Sequence, residues 1–193
     1  KADSLYQRAL AMHHKVHPDP DKHLAAMMID WGSLLRDRRE TGRALSVLKE
    51  SVEMHRTFFG KESREYASAL ITLGPALQDN HELAAAESVY REALDIRKRS
   101  SGDEHVDVGF ALNNLAFVLM DKGDLEGAET MFRQSLALWR KALGNGHPQV
   151  ETGLLNLAGM LQKRGKLDEA ERFLMDALAL NKKQPMPDPL RLS

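Results

Sequence analysis

The histidines near the N-terminus have the spacing that most resembles a metal site. His13 and His17 are four residues apart with His14 between them, and further potential ligands follow at Asp19, Asp21 and His23. Two imidazoles on one face of a helix can bind zinc. However, the cluster falls where a terminal helix is expected to end, and no glutamate follows that could serve in hydrolysis. We expect no physiological metal and leave adventitious binding by His13, His14 and His17 open.

The sequence carries no catalytic signature. It lacks a glycine-rich phosphate loop, a nucleophile elbow and paired carboxylates in an evident pocket. Among its 193 residues there is no cysteine, which excludes disulfides, thiolate ligands and thiol nucleophiles. We therefore expect neither an enzyme nor a bound cofactor.

The charge and apolar patterns exclude two classes of partner. Lys and Arg total 27 against 28 Asp and Glu, and the resulting net charge of −1 gathers neither nucleic acid nor anionic lipid. The longest apolar stretch, 110–120, is far short of the roughly 20 residues that a membrane span needs. The N-terminus lacks the apolar core of a signal peptide. We expect a cytoplasmic location, and because the sequence opens with Lys1 we expect it to be a piece of a longer protein.

The elements that must position any functional residue repeat along the chain at a spacing of 42. One series of small residues is Gly32, Gly74, Ala116 and Ala158, and a second is Ala44, Ala86, Ala128 and Ala170. Gly60, Gly102 and Gly144 mark the breaks between units. Repeats of this length are typical of stacked helical units. The two series are expected to face each other so that paired helices approach closely.

Each repeat contains two helical patterns. Leu112, Leu115, Ala116 and Leu119 follow the spacing of one helical face, and residues 128–136 repeat that spacing after a turn. The first helices (A) are predicted near 22–38, 64–80, 106–121 and 148–164. The second helices (B) are predicted near 2–15, 42–57, 84–99, 126–142 and 167–181. His105 and His147 begin A helices and are expected to be features of the repeat, not ligands.

The small-residue and aromatic pattern resembles tetratricopeptide repeats. The Leu-Asn-Asn-Leu-Ala motif at 112–116, Gly-Asp-Leu-Glu-Gly-Ala-Glu at 123–129 and Gly-Asn-Gly-His-Pro at 144–148 are similar to kinesin light chain. Over residues 1–181 the resemblance implies an all-α, right-handed α-solenoid of antiparallel helix pairs with about four and a half repeats. The units are expected near 22–57, 64–99, 106–142 and 148–181, after a lone second helix at 2–15. Residues 182–193 are expected to be a Pro-rich tail or linker.

In such an array the A helices line a concave groove, and the side chains opposite the B helices are candidate peptide contacts. An exposed apolar strip is typical of a binding surface. The strip is Ile29, Ile71, Phe110, Phe117 and Leu155, with Thr152 beside it. Some of these side chains could instead pack between adjacent A helices. Asp37, Asp79 and Asp121 end three successive A helices, which favours a basic residue in the peptide, although they could be solvated turn residues.

Three asparagines lie on the same helical face. A primary amide can pair with both the N–H and the C=O of an extended peptide. In the family such groove asparagines hold peptide backbone, and the resemblance carries this role to Asn113, Asn114 and Asn156. The alternative is a hydrogen bond between helices that fixes their packing.

The resemblance thus implies a non-catalytic scaffold that binds an extended peptide or helix of a partner protein in its groove. The alternative is a structural module that self-associates or docks within a larger multidomain protein through exposed end helices. In that alternative the sensitive residues are Leu5, Leu10, Phe173 and Leu178.

Overall fold

A computed structural model describes the backbone of residues 2–16 and 20–181. The expected tail, 182–193, lies outside the described residues, as do His17 and Asp19 of the N-terminal histidine cluster.

The described residues form nine α-helices and no strand. They are Ala2–Val16 (α1), Lys22–Asp37 (α2), Thr41–Phe59 (α3), Arg64–Asp79 (α4), Leu83–Ser101 (α5), Val106–Asp121 (α6), Leu125–Leu143 (α7), Pro148–Lys163 (α8) and Leu167–Asn181 (α9). Every predicted helix is present, and the largest differences from the predicted ends, at Phe59 and Ser101, are two residues. The all-α repeat fold is therefore confirmed.

The A helices begin at the same repeat position, where a side chain accepts a backbone N–H of the first turn. Asp21 Oδ1 accepts from the N–H of residues 23 and 24 at 2.8 and 2.9 Å, and Ser63 Oγ accepts from that of residue 66 at 3.1 Å. His105 Nδ1 and His147 Nδ1 accept from residues 107 and 149 at 3.2 and 3.1 Å. The two histidines are therefore helix caps, a role that agrees with the expectation that they begin A helices as features of the repeat.

The turns from A to B helices share one geometry. In each turn, the carbonyl of the third-last residue of the A helix accepts a hydrogen bond from the backbone N–H of the residue just before the B helix. In the first turn this is the 2.9 Å bond from the Glu40 N–H to the Leu35 carbonyl. The residue before that donor has a positive φ in each turn: Arg39 (61°), His81 (60°), Gly123 (85°) and Gly165 (74°). Only two of these four positions hold the glycine that such a backbone favours.

The helices form two compact units, 1–103 (unit 1) and 104–193 (unit 2). In unit 1, α2 pairs with α3 and α4 with α5, while α3 packs on α4 and α1 on α2. In unit 2, α6 pairs with α7 and α8 with α9, while α7 packs on α8. The second helix of a pair, such as α3 or α7, thus packs both on the first helix of its own pair and on the first helix of the next pair. The boundary predicted after residue 181 stays a prediction.

The core of unit 1 explains the small-residue series. A Cβ on Gly32 would lie 2.5 Å from the Leu48 side chain, and one on Gly74 would lie 2.1 Å from the Tyr90 ring. The sequence led us to expect the alanine series opposite these glycines, but the atoms nearest to each glycine belong to a large side chain. Each glycine instead receives a large side chain from the paired B helix, and this contact permits the close approach.

The core of unit 2 is built around Trp139, which is fully buried on α7. A Cβ on Gly109 of α6 would lie 2.5 Å from the Trp139 indole. A Cβ on Gly153 of α8 would lie 3.1 Å from the indole and 3.1 Å from the Leu136 side chain. Ser135 Oγ donates to the Gly109 carbonyl at 2.8 Å and ties α7 to α6. Trp139 therefore holds both neighbouring helices of α7 in place.

None of the described helices combines the length and apolar content that crossing a membrane requires.

Candidate peptide-binding faces

The candidate residues of unit 1 lie on α2 and α4, which contact each other, and we call this surface the α2/α4 face. Ile29 on α2 and Ile71 on α4 are half-buried, so each packs on one side and remains accessible on the other. Asp79 is exposed at the end of α4. Pro75 lies inside α4 and has no N–H, so the Ile71 carbonyl cannot receive its helical hydrogen bond. The face thus presents two partly accessible apolar side chains, and Pro75 interrupts the helical hydrogen bonds one turn after Ile71.

The candidate residues of unit 2 lie on α6 and α8, and we call this surface the α6/α8 face. Phe110 is 39% and Leu155 is 47% exposed, Thr152 is exposed, and Phe117 is half-buried. The exposed Leu155 contrasts with its neighbour Leu154, which is fully buried. The α6/α8 face therefore presents large apolar groups beside the core.

The two phenylalanines rest on aromatic rings of the B helix beneath them. The Phe110 ring centroid is 5.2 Å from that of Trp139 at an interplanar angle of 58°. The Phe117 ring meets Phe132 edge-on at 5.0 Å. Such contacts fix the ring orientations. Both phenylalanines are held in place from below while part of each ring stays accessible.

Two of the three asparagines bond to each other. Asn156 Nδ2 donates to Asn113 Oδ1 at 2.9 Å and joins α8 to α6. Asn113 is buried and Asn156 is half-buried. This is the bond between helices that the sequence left open as the alternative role. An amide has two donor hydrogens and an acceptor oxygen, so Asn113 Nδ2 and Asn156 Oδ1 retain bonding capacity.

Asn114 differs from the other two asparagines. Its side chain is half-buried on α6, and within the described part of the chain its amide has no hydrogen-bond partner. Asn is also a mediocre helix former. Asn114 is therefore the amide of this face with the most capacity for a ligand.

The acidic series ends the A helices, as expected. Asp79 and Asp121 are exposed, and Asp37 lies 3.6 Å from the Arg36 guanidinium. A carboxylate at a helix C-terminus opposes the helix dipole. Each unit thus has an exposed carboxylate at the edge of its candidate face.

Sequence reasoning missed the ion cluster around Glu129 on α7. Its carboxylate accepts from Arg133 Nη2 at 2.8 Å and Lys166 Nζ at 2.9 Å, and Arg164 also donates to it. Burial raises the pKa of Glu129, but the hydrogen bonds from Lys166, Arg133 and Arg164 outweigh it and lower the pKa to about 2. The signal in the sequence is a glutamate that recurs every 42 residues, at Glu87, Glu129 and Glu171. Of the other two, Glu87 is also buried in the structure.

The N-terminal histidine cluster is only partly described. His13 Nε2 lies 3.2 Å from Asp21 Oδ1, the side chain that caps α2. Among the side chains that the structure describes, which do not include those of His14 and His17, no three histidines or carboxylates could together hold a metal ion.

Two of the four end-helix residues are less exposed than expected. Leu5 and Leu178 are exposed, but Leu10 packs against the core of unit 1. Phe173 is half-buried, and the Arg133 guanidinium lies 5.7 Å from the centre of its ring. A helix that packs on one neighbour buries the side chains on that side, so Leu10 and Phe173 have less surface available for docking than Leu5 and Leu178.

The repeats also identify the family of the protein. The family model "Tetratricopeptide repeat" matches residues 23–99 and 107–183, which is most of the chain. The chain therefore belongs to the tetratricopeptide repeat family.

Solved structures with the same fold include relatives of the kinesin light chains. BtubC (BKLC) from P. vanneervenii has a TM-score of 0.81 and 20% identity, covering 97% of this chain and 76% of that one. A candidate kinesin light chain of Podosopora anserina with nearly identical TPR-like repeats has a TM-score of 0.81 and 20% identity, covering 94% and 86%. The apo form of RapI has a TM-score of 0.75 and 16% identity, covering 96% and 49%. At these identities the likeness establishes the fold alone. No curated protein sequence matches the chain.

Proposed function

We propose that this protein is a non-catalytic scaffold that binds an extended peptide or helix of a partner protein. Membership of the tetratricopeptide repeat family supports a role in protein interaction. The observation that carries the finer proposal is the α6/α8 face, where Phe110 and Leu155 are exposed beside the amide of Asn114. The absence of cysteine is consistent with a cytoplasmic location, which we propose as well.

The apolar part of the ligand contacts Phe110, Phe117 and Leu155. Water in contact with these side chains is released when an apolar group covers them, and this supplies most of the binding free energy. The rings of Phe110 and Phe117 already have fixed orientations on Trp139 and Phe132. Little side-chain entropy is therefore lost on binding, which favours affinity.

The amides supply the polar contacts to the ligand. Asn114 pairs with a peptide N–H and C=O, while the Asn113–Asn156 bond holds the other two amides so that their remaining atoms can add contacts. Thr152 Oγ1 donates to the Pro148 carbonyl, so it can still accept a hydrogen bond from a ligand. This recognition is independent of the peptide side chains.

The carboxylates favour a basic peptide. In unit 2 we propose a Lys or Arg near Asp121 beside an apolar residue on Phe117, and in unit 1 a basic residue near Asp79 beside Ile29 and Ile71. Binding should weaken at high salt because exposed charges are screened. Tightest binding by an acidic version of the peptide, or no dependence on salt, would refute this preference.

The test is to select peptides and then map them. A random peptide display library is panned against the chain, and enriched peptides are titrated calorimetrically against L155D and N114A. Because both side chains belong to the proposed face, we expect each variant to weaken binding at least tenfold, about 1.4 kcal/mol.

The matched control for this test is L178D. Leu178 has the same residue type and the same exposed fraction of 47% as Leu155, but lies on α9, outside the α6/α8 face. Its substitution should leave the affinity unchanged. Equal binding by L155D and the unaltered chain, or the absence of any enriched peptide, would overturn the proposal.

A further inference from the structure

The last described helix has an apolar stripe that no other described helix covers. Leu167, Leu174 and Leu178 on α9 are spaced i, i+7 and i+11, and they are 63%, 37% and 47% exposed. Such positions lie on one face of a helix. The buried residues of α9, Ala170 and Ala177, lie to one side of this stripe. We call it the α9 stripe.

The first helix has a stripe of the same spacing. Leu5, Met12 and Val16 on α1 are also at i, i+7 and i+11, and they are 60%, 65% and 71% exposed. The half-buried residues Ala9 and His13 lie to one side of them. We call this the α1 stripe. Large exposed apolar groups in such a row mark an interaction surface.

The two stripes carry opposite charges along their solvent-facing sides. Asp168 and Glu171 are exposed beside the α9 stripe, and Arg8 and Lys15 are exposed beside the α1 stripe. The other charged residues of α9 lie further round the helix: Arg172, Glu169 and Asp176, of which Glu169 pairs with Arg133 and Asp176 with Arg140. The charge next to each stripe is therefore of a single sign.

We propose that the α9 stripe of one molecule binds the α1 stripe of a second copy, with the two helices parallel. Successive residues of an α-helix are turned by about 100° about its axis. On this scale Arg8 and Lys15 lie on one side of the α1 stripe, towards smaller angles. Asp168 and Glu171 lie on the opposite side of the α9 stripe, towards larger angles. Parallel helices that face each other bring just these two sides together, as the e and g positions meet in parallel coiled coils. In this arrangement the α1 stripe contacts the α9 stripe, and Arg8 and Lys15 of one molecule lie next to Asp168 and Glu171 of the other.

The same charges disfavour symmetric pairing. In an antiparallel two-fold pair of α9 helices, Asp168 and Glu171 of the two copies would face each other. In a parallel two-fold pair they would face the side of Ala170 and Ala177, which is buried against α8 and supplies no cation. An antiparallel two-fold pair of α1 helices would likewise oppose Arg8 and Lys15. Contact between two different surfaces leaves one α1 stripe and one α9 stripe free in every dimer, so association by this route continues beyond the dimer into rings or open chains of molecules.

Sedimentation of the full chain over rising concentration tests the proposal. The average mass should rise above that of a dimer as the concentration increases, and it should fall at high salt. A mass that stays at that of the monomer up to the solubility limit would overturn the proposal. The α6/α8 face takes no part, so this result is independent of whether the chain binds peptides.

Charge reversal gives the sharper test. R8E/K15E and D168K/E171K should each remain monomeric, because each places like charges together. An equal mixture of the two variants restores opposite charges at every contact and should associate as the unaltered chain does. The control K61E/K163E changes the net charge equally at exposed lysines away from both stripes, and should associate normally. Circular dichroism verifies that all variants are folded, and a mixture that stays monomeric refutes the pairing.

Blocking one surface at a time tests the direction of growth. L5D/M12D blocks the α1 stripe, and L174D/L178D blocks the α9 stripe. Each variant alone should be monomeric, and their mixture should stop at dimers because only one pair of surfaces remains. Chains longer than dimers in that mixture would show that another surface mediates association.

Discussion

Glu129 accepts hydrogen bonds from three cations, two of which come from the turn before α9. Its pKa is lowered from 4.5 to about 2 in the folded chain. A carboxylate with a depressed folded pKa stabilises the fold above pH 4.5, and this contribution is lost as the pH falls towards 2. The cluster therefore ties α7 to the end of unit 2 at neutral pH and releases it in acid.

The substitution E129Q tests this contribution. We expect the free energy of unfolding at pH 7 to decrease by roughly 2 kcal/mol, allowing for the partial exposure of the three cations. The loss of stability between pH 5 and 2 should shrink accordingly in urea titrations. The control is E126Q, an exposed glutamate on the same helix. A variant as stable as the parent at pH 7 would contradict the prediction.

Asn114 and Asn156 should respond differently to truncation. N156A leaves the buried Asn113 oxygen without its 2.9 Å donor, and loss of such a bond costs about 1–3 kcal/mol. N114A breaks no described bond, and replaces Asn by a better helix former. Thermal unfolding should therefore show a lower melting temperature for N156A only. Equal destabilisation by both would make Asn114 a packing residue.

At the scale of the elements, the turns after α2 and α4 contain backbone strain. Arg39 and His81 adopt a left-handed conformation that costs non-glycine residues roughly 1–2 kcal/mol. R39G and H81G each remove this strain, but glycine also increases the entropy of the unfolded chain, which offsets part of the gain. We therefore expect each substitution to raise the free energy of unfolding by about 0.5–1 kcal/mol.

The third repeat supplies the reverse experiment. Gly123 occupies the same turn position with φ 85°, so G123A should destabilise by about 1 kcal/mol. Urea unfolding measures all three variants. If R39G and H81G are less stable than the parent, interactions of the replaced side chains outweigh the strain.

The repeat made the helices predictable, because a period of 42 residues aligns four copies of the same capping, turn and apolar positions. The pattern specifies which face of a helix is apolar but not which side chain meets it. For this reason the contact of Gly74 with Tyr90 was not foreseen. The Asn113–Asn156 bond remained one of two alternatives because it joins different repeats. Of the cations around Glu129, Arg133 lies on the same helix at i+4, but Arg164 and Lys166 come from a separate turn 35 and 37 residues along the chain, which the pattern within one helix does not predict.

At the scale of the whole molecule, damage should stay within one unit. Ala128 is fully buried at the start of α7, and A128L should destabilise unit 2 by about 1–3 kcal/mol through overpacking. Repeats contact only their neighbours, so hydrogen exchange should rise in α6 to α9 more than in α2 and α3. The counterpart A86L should affect unit 1 instead. Uniform acceleration along the chain would show that the array unfolds as one block.

Trp139 has a further consequence because the chain has only two tryptophans, one in each unit. Trp139 is sealed from water, whereas Trp31 of unit 1 is half-buried with the Arg43 guanidinium 5.9 Å from its ring centre. Their fluorescence should differ: Trp139 emits at short wavelength and resists iodide, and Trp31 emits further to the red and is quenched. The protein thus carries a separate optical label for each unit, and W31F or W139F isolates either one.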